Sequence, residues 1–293
     1  MTLDDHRRAY AEKVASAAGL TTPGLTDAFA VVPREAFLPP GPWLVAGEGQ
    51  KPQQTLDADP RHVYENVSVA IDPARQLFNG APAFLARMID RLALRPGSRV
   101  LHVGAGLGYY SAVMAHLVGP DGAVVASEID EALAAEARSN LAAMPWVTVE
   151  CVDGRGLPAV AGRVEAGSFD AILVNTGVTY PVDAWLDALA PGGRLLLPLT
   201  VGMPGMGSLG KGVVVVVARM PDGAAFSAEV LSFVAIYSAI GLRDERHEAS
   251  LGQALRRTSF PNLTRLRRDP HASSPDCWFH ADGFCLSMAQ TSA

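Results

Sequence analysis

The most constraining feature of the sequence is a glycine-rich turn between a predicted strand and a predicted helix. Residues 102–108 read HVGAGLG, which follow the apolar segment RVLHV at 99–103 and lead into a helix predicted over 108–118. Glycine allows a sharp turn with positive φ and a close approach of the backbone to a ligand. In a parallel α/β sheet this first turn lies at the carboxyl ends of the strands, where ligands bind. The spacing GxGxG differs from the GxGxxG of dinucleotide-binding enzymes, so the turn indicates a ligand site without naming the ligand.

Strands and helices alternate along residues 99–199. The predicted strands lie at 99–103, 123–127, 147–151, 169–175 and 194–199, and the helices between them at 108–118, 131–143 and 181–190. The strands are almost continuously apolar, which is typical of a parallel sheet covered on both faces. Further strands are predicted at 212–219 and 276–288, and the second of these can form a hairpin. The whole pattern predicts an α/β fold with a doubly wound, mostly parallel, seven-stranded Rossmann-like sheet.

The segments around this core have patterns of their own. Helices are predicted at 3–18, 24–32, 80–93 and 244–257, and the expected N-caps are Asn79 for the helix at 80–93 and Asp130 for the helix at 131–143. Residues 39–61 are rich in Pro, Gly and Gln and predict a long loop, a feature that is often functional. No linker separates independent domains. We expect one domain over 1–293, with N-terminal helices and an acceptor-side loop at 1–95, a ligand-binding core at 96–200, and C-terminal strands and a helix at 201–293.

Charge and cysteine content exclude several classes of protein. The chain has 24 Lys and Arg against 30 Asp and Glu, a net charge of −6, so it lacks the basic surface of a nucleic-acid binder. The N-terminal segment is charged, and no long uncharged run predicts a membrane span. Three cysteines make no disulfide framework. We therefore expect a cytoplasmic protein with no nucleic-acid or membrane partner; the oligomeric state is left open, with a monomer favoured.

Two acidic residues follow the second and third strands of the alternating region. Glu128 ends the strand at 123–127, and its carboxylate can accept both hydroxyls of a ribose, as acids at this position do in nucleoside-binding α/β folds. Asp153 follows the strand at 147–151 and can accept a hydrogen bond from an adenine amino group. Together with the glycine turn, these acids predict a nucleoside-containing ligand.

Several longer motifs carry a family resemblance. VLHVGAGLGYYSAVMAHLVG (100–119), SEID (127–130), VDGRG (152–156) and FDAILVNTGVTYPVDAWLDALAPGGRLLLPL (169–199) resemble the protein-L-isoaspartate O-methyltransferase family, as does VPREAFLPP (32–40). The resemblance covers about residues 30–200. It implies the S-adenosylmethionine (SAM) methyltransferase fold and transfer of the SAM methyl group to a carboxylate oxygen. The cofactor site that we predict from it comprises His102, Gly104, Ala105, Gly106, Gly108, Glu128, Asp153, Gly154 and Asn175.

The sequence departs from the family pattern at two places. His102 stands where the family usually has an acidic residue near the methionine part of SAM; we expect its imidazole to be neutral with SAM bound and to weaken SAM binding when it protonates at about pH 6–7. The family's Ser-x-Pro element, which holds the isoaspartyl carboxylate, corresponds to FNGAP (78–82), with Gly80 in place of the serine. We expect Asn79 and Gly80 to position the acceptor, and Gly80→Ser to raise activity on an isoaspartyl peptide.

Three functions remain open at this stage. The first is methylation of a peptide or protein carboxylate, which is ionised at pH 7 and needs no general base. The second is methylation of a small molecule or of a modified-peptide natural product, for which His62 and Asp72 are the candidate bases. The third is SAM binding without turnover.

The C-terminal region contains two further clusters of side chains. Cys277, His280 and Cys285 include a C-x-x-H spacing, but strand alternation would put Cys277 and His280 on opposite faces, so we expect core thiols and no metal. Five arginines lie at 256, 257, 265, 267 and 268. A solvated face is the expected role of this cluster, and capture of an acidic peptide is the alternative.

Overall fold

The computed structural model describes residues 2–155 and 167–288, which form two compact units that alternate along the chain. Unit 1 comprises Met1–Ser98 and Ala105–Cys151, and unit 2 comprises Arg99–Gly104 and Val152–Ala293. The single domain expected over 1–293 stays a prediction. No helix in the described part of the chain has the length and apolar character needed to cross a membrane.

The described residues form seven α-helices and fourteen strands. The helices are α1 (Leu3–Ala18), α2 (Leu25–Val31), α3 (Pro82–Arg91), α4 (Tyr109–Val118), α5 (Glu131–Asn140), α6 (Asp183–Ala188) and α7 (Glu245–Arg257), with 3-10 turns at Arg34–Phe37 and Pro60–Val63. The strands are β1 (Leu44–Ala46), β2 (Gln53–Gln54), β3 (Ser68–Asp72), β4 (Leu77–Phe78), β5 (Arg99–Val103), β6 (Ala123–Glu128), β7 (Val147–Cys151), β8 (Phe169–Val174), β9 (Leu189–Gly202), β10 (Leu209–Arg219), β11 (Phe226–Tyr237), β12 (Arg265–Arg267), β13 (Cys277–Ala281) and β14 (Phe284–Ser287).

Unit 1 contains the N-terminal helices and two groups of strands. The first group is a small antiparallel sheet in the order β2-β1-β3-β4, and the second is the parallel pair β6 and β7. The long loop predicted at 39–61 therefore contains two short strands and the first half of a 3-10 turn. The predicted helix at 131–143 begins as expected, since the Asp130 side chain accepts a 3.0 Å hydrogen bond from the Leu133 amide.

The predicted cap of α3 is wrong. This helix begins at Pro82 with Ala81 as its N-cap, and the amide of Ala83 donates to Oδ1 of Asn66 at 2.9 Å. Asn79 instead accepts hydrogen bonds at Oδ1 from the Val69 amide (2.9 Å) and from the Arg34 guanidinium (3.1 Å). The cap is supplied from a distant loop, a relationship that local sequence patterns do not carry.

Unit 2 contains a sheet of eight described strands in the order β13-β14-β12-β11-β10-β9-β8-β5. The pairs β5–β8 and β8–β9 are parallel, and every pair from β9 to β13 is antiparallel. The α/β class is confirmed, but unit 2 alone exceeds the predicted seven strands because β11 and β12 were missed. β11 lacks clean alternation: its register against β10 shifts between Val214 and Val215, and its burial pattern is irregular.

Candidate cofactor and acceptor site

In unit 1, the carboxylate of Glu128 is held by the backbone around it. Its Oε2 accepts a 2.8 Å hydrogen bond from the Gly106 amide, and its Oε1 accepts bonds from the amides of Ile129 (2.9 Å) and Asp130 (3.1 Å). The side chain lies at the end of β6, and the residue is 8% exposed. A carboxylate has about four acceptor positions. Three are occupied, so Oε2 retains room for about one ribose hydroxyl rather than the two that the sequence suggested.

Different structural constraints explain why glycine occurs at each of the three positions of the turn. Gly104, Gly106 and Gly108 all have positive φ, at 80°, 56° and 92°. Gly108 is the N-cap of α4, and a Cβ there would lie 2.8 Å from Cδ1 of Leu141, so helix packing alone explains this glycine. A Cβ at Gly106 would meet Cδ1 of Ile71 at 3.3 Å. Gly106 therefore donates its amide to Glu128 and has no side chain that would crowd Ile71. The amide of Ala105 donates to the carbonyl of Ser127, which connects the turn to β6.

The predicted acceptor residues, also in unit 1, lie beside the start of α4. The carbonyl of Gly80 accepts a 2.5 Å hydrogen bond from the Tyr110 hydroxyl, and Tyr110 is the second residue of α4. A Cβ at Gly80 would lie 2.2 Å from Cδ2 of Leu85. A side chain at residue 80 therefore requires the Leu85 side chain to move. Nδ2 of Asn79 is buried and has no hydrogen-bond partner among the described residues.

Sequence reasoning missed the residue that holds Asn79 in place. Arg34 is fully buried and donates to the carbonyls of Val63 (2.8 Å) and Val67 (2.7 Å) as well as to Asn79. A buried guanidinium requires several acceptors, and with the Glu65 carbonyl (3.3 Å) four backbone and side-chain oxygens supply them. Arg34 lies in the VPREAFLPP motif, and its position there is the sequence feature that could have identified it as a site residue.

In unit 2, two of the predicted cofactor residues are bonded to each other. Nδ2 of Asn175 donates to the carbonyl of Gly104 at 3.4 Å, and the Asn175 amide donates to the Val103 carbonyl at 2.8 Å. A Cβ at Gly104 would lie 3.3 Å from the carbonyl oxygen of Asn175. Asn175 therefore fixes the backbone at the beginning of the glycine turn.

His102 is fully buried in β5, opposite Leu173 of β8. Burial disfavours the imidazolium and lowers the pKa of His102 to about 3. The expectation of a neutral imidazole agrees with this pKa. The expected protonation at about pH 6–7 is wrong, because the fold excludes water from the ring and the sequence reasoning assumed an ordinary histidine pKa.

Asp153 and Gly154 have separate roles in unit 2. Oδ1 of Asp153 accepts a 2.9 Å hydrogen bond from the Arg155 amide, and the side chain is partly exposed. Gly154 is buried; a Cβ there would lie 2.8 Å from Leu242, and its carbonyl accepts a bond from Nε1 of Trp185 at 3.1 Å. Packing therefore explains Gly154, whereas Asp153 remains the predicted adenine acceptor. Gly156, the last residue of that motif, lies outside the described residues.

The C-terminal arginines bind partners within unit 2. Arg268 pairs with Asp183 (3.0 Å) and Asp187 (2.5 Å), and Arg267 pairs with Asp269. Arg257 donates to the carbonyls of Cys277 and Trp278. Three of the five arginines therefore bond groups of this chain. This pairing argues against the cluster as a binding site for an acidic peptide.

The prediction for Cys277 and His280 is wrong in its geometry. Their ligand atoms, with those of His271 and Cys285, lie within 4.8 Å of one another. β13 carries a register shift between Cys277 and Phe279, so that Cys277 faces Ser287 while His280 faces Cys285. Cys285 and Ser287 are two residues apart and share a face, and Cys277 and His280 therefore share it too.

A parallel α/β framework with a glycine turn after one strand and a buried carboxylate ending the next defines the class of nucleoside-binding α/β proteins that includes SAM-dependent methyltransferases. The family model for protein-L-isoaspartate(D-aspartate) O-methyltransferase matches residues 52–208, more than half of the chain. The chain belongs to this family.

Individual relatives agree with the family match. A protein-L-isoaspartate O-methyltransferase of Methylorubrum extorquens is 40% identical over 190 residues, which cover 64% of this chain and 71% of the relative. One from Aeropyrum pernix is 32% identical over 205 residues, covering 70% of this chain and 68% of the relative.

Two solved structures share the fold. A protein-L-isoaspartate O-methyltransferase superposes with a TM-score of 0.62 at 22% identity, covering 89% of this chain and 73% of its own. A Plasmodium falciparum protein, provisionally assigned to the same activity and solved with S-adenosyl-L-homocysteine, superposes with a TM-score of 0.59 at 17% identity, covering 80% of this chain and 98% of its own. At these identities the likeness concerns the fold alone.

Proposed function

We propose that the chain is a SAM-dependent O-methyltransferase that methylates a carboxylate of a peptide or protein. The observation that carries the proposal is the Glu128 carboxylate, bonded to the Gly106 amide at the glycine turn. Oε2 of Glu128 retains an acceptor position for a ribose hydroxyl. The turn has glycine at each position of positive φ, so it presents backbone rather than side chains to a ligand. This donor set fits the adenosine part of SAM, and the family membership of the chain supports the same cofactor.

The residues of this chain would act by binding and orientation. SAM, when bound, supplies a methyl group already activated by its sulfonium. Glu128 would hold the ribose, Asp153 would accept from the adenine amino group, and Asn175 would keep the start of the turn in place through Gly104. A carboxylate acceptor is ionised at neutral pH, so no side chain has to remove a proton. Alignment of donor and acceptor can then provide the rate enhancement.

The proposed scheme uses no general base. His62, one of the two candidate bases, is bonded to a neighbouring side chain. Nε2 of His62 lies 2.9 Å from Oδ1 of Asp57 in a partly exposed surface pair. The second candidate, Asp72, pairs with Arg75, which also bonds Asp130. Both groups pair with neighbouring side chains, and the proposed carboxylate acceptor requires neither of them.

Crowding at Gly80 supports an acceptor that differs from an ordinary isoaspartyl peptide. Cδ2 of Leu85 would lie 2.2 Å from a Cβ at residue 80, so the serine of the family pattern fits here only if the Leu85 side chain moves. Nδ2 of Asn79, buried and without a partner among the described residues, is the donor that remains in this segment. A modified-peptide carboxylate is the second candidate substrate on this ground.

A methyl-transfer assay tests the function. Purified protein is incubated with methyl-labelled SAM and an isoaspartyl peptide, its normal-aspartate counterpart or cell lysate. Base-labile label in peptide or lysate protein is expected, because carboxyl methyl esters hydrolyse readily. Label confined to base-stable products would contradict carboxylate methylation. Glu128→Gln should abolish most of the labelling, whereas Glu136→Gln, on the exposed face of α5, should leave it unchanged.

A further inference from the structure

A second cluster of chemically active side chains lies in unit 2, outside the residues that the family model matches. It consists of His271, in the segment after β12, Cys277 and His280 on β13, and Cys285 on β14, with all four ligand atoms within 4.8 Å of one another. The family match ends at residue 208. Nothing in the methyl-transfer scheme uses these residues.

The bulge in β13 is what brings the cluster together. Trp278 is the extra residue of the register shift, and without it Cys277 and His280 would point to opposite sides of the strand. A bulge leaves backbone carbonyls outside the ladder, and here Nη2 of Arg257 donates to those of Cys277 (2.6 Å) and Trp278 (2.7 Å). The indole of Trp278 is buried and donates to the Thr258 carbonyl at 2.8 Å. The bulge is therefore fixed on both its backbone and its side chain.

Hydrogen bonds orient the ligands toward one another. Nδ1 of His271 lies 2.7 Å from the carbonyl of Asp269, so it carries the proton and donates, which leaves Nε2 as the lone-pair nitrogen. Nε2 of His271 lies 3.7 Å from Sγ of Cys277. Nδ1 of His280 is buried with no hydrogen-bond partner among the described residues. Each histidine thus has one nitrogen with an available lone pair.

Polar groups surround the sulfur atoms of the cluster. The amide of Ser274 donates a hydrogen bond to Sγ of Cys277 at 3.4 Å, and the Ser274 hydroxyl lies 3.5 Å from the same sulfur. Arg267 faces Cys285 across the β12–β14 pair and adds a positive charge nearby.

We propose that His271, Cys277, His280 and Cys285 form a tetrahedral Zn²⁺ site. Two sulfurs and two imidazole nitrogens are a donor set that Zn²⁺ prefers, and ideal bond lengths put such ligand atoms about 3.3–3.8 Å apart. The cluster needs shifts of at most about 1 Å to reach this geometry. On binding, the two thiols release two protons to solvent, and the two thiolates neutralise the ion. Four protein ligands leave no open position, so the ion holds the segment after β12 to the β13–β14 hairpin and has no role in methyl transfer.

Metal analysis of the tag-free protein tests the proposal. Wild type purified in reductant is expected to contain about one zinc per chain, and Cys285→Ser close to none. The matched control is Cys151→Ser, which removes the third cysteine, outside the cluster, and should retain the full zinc content. Because Cys285 is fully buried, His271→Ala provides a milder variant, and its zinc affinity should fall at least about 100-fold.

Two measurements on the wild type need no variant. Replacing zinc with Co²⁺ should give the intense visible absorption of tetrahedral cobalt with thiolate ligands. Alkylation of Cys277 and Cys285 should become faster when a chelator is added, whereas the rate at Cys151 should not change. Reduced wild type that takes up neither Zn²⁺ nor Co²⁺ would overturn the proposal, as would equal zinc content in Cys285→Ser and Cys151→Ser. SAM binding measured in the same samples separates this outcome from a failure of the proposed methyltransferase function.

Discussion

The amide of Gly106 donates a 2.8 Å hydrogen bond to Oε2 of Glu128, 22 residues further along the chain. One carboxylate therefore sets the conformation of the glycine turn and is also the proposed acceptor for the ribose. We therefore expect a substitution that removes the charge of Glu128 both to destabilise the glycine turn and to weaken ligand binding.

Glu128→Gln tests that link. Glutamine can still accept at one oxygen, but its NH₂ group then faces a backbone N–H that has lost its partner. We expect SAM affinity to fall about 10- to 100-fold and the free energy of unfolding to drop by about 1–3 kcal/mol. Calorimetry and urea unfolding measure the two effects, with Glu136→Gln as control. Weaker SAM binding with unchanged stability would mean that the Gly106 bond does not contribute to the fold.

The buried imidazole of His102 makes stability depend on pH. Its pKa is about 3 in the folded protein and about 6.5 when exposed, so the unfolded chain binds the proton more readily. The contribution is fully present above pH 6.5 and is lost as pH falls towards 3, with a limiting slope of about 1.4 kcal/mol per pH unit. From pH 8 to pH 5, wild type should lose about 2 kcal/mol more stability than His102→Gln.

Urea unfolding across this pH range provides the measurement. His116→Gln, which removes an exposed histidine of α4, should follow the wild-type curve. SAM affinity should stay flat through pH 6–7, in contrast to the expectation from the sequence. Parallel stability curves for wild type and His102→Gln would show that the ring titrates normally.

Gly80→Ser should destabilise the protein rather than simply add a hydroxyl. Its Cβ would lie 2.2 Å from Cδ2 of the buried Leu85, and overpacking of this kind costs about 1–3 kcal/mol. Shortening the neighbour in the double variant Gly80→Ser/Leu85→Val should recover part of the loss. A double-mutant cycle by thermal or urea unfolding measures the coupling. Additive losses would indicate that Leu85 moves aside without strain.

The same pair of variants separates stability from acceptor recognition. Activity on an isoaspartyl peptide should rise only in the double variant, where a hydroxyl is present without the clash. A rise in the single variant would mean that the backbone at residue 80 already accommodates serine.

Arg257→Gln should loosen the bulge in β13. The variant loses two charge-assisted hydrogen bonds, to the carbonyls of Cys277 and Trp278, and about 1–3 kcal/mol of stability is expected to go with them. Arg256→Gln, at an exposed neighbouring position, is the control. Zinc content should fall in Arg257→Gln alone, because only that variant frees the strand to return to regular alternation. Full zinc content with lowered stability would show that the ion fixes the bulge without Arg257.

Sequence reasoning succeeded where the interaction partners are close together in the chain. The Asp130 cap bonds an amide three residues away, and the glycine turn lies directly between its strand and helix. It failed where the partner is distant. Asn79 is bonded by Arg34, 45 residues earlier, and no local pattern distinguishes that use of an asparagine from a helix cap. The cysteine–histidine cluster depends on one extra residue in a strand, and residue spacing alone assumes regular alternation.

The interleaving of the two units limits how this protein can be shortened or recombined. The chain passes from one unit to the other at Ser98–Arg99, Gly104–Ala105 and Cys151–Val152. A fragment trimmed to the family match at 52–208 would lack α1 and α2 of unit 1 and β10 to β14 of unit 2. Neither unit is a continuous segment. A single proteolytic cut therefore cannot release either unit intact, and a gene encoding one continuous piece of the chain cannot produce one. Chimeras with relatives would have to exchange segments in matched pairs.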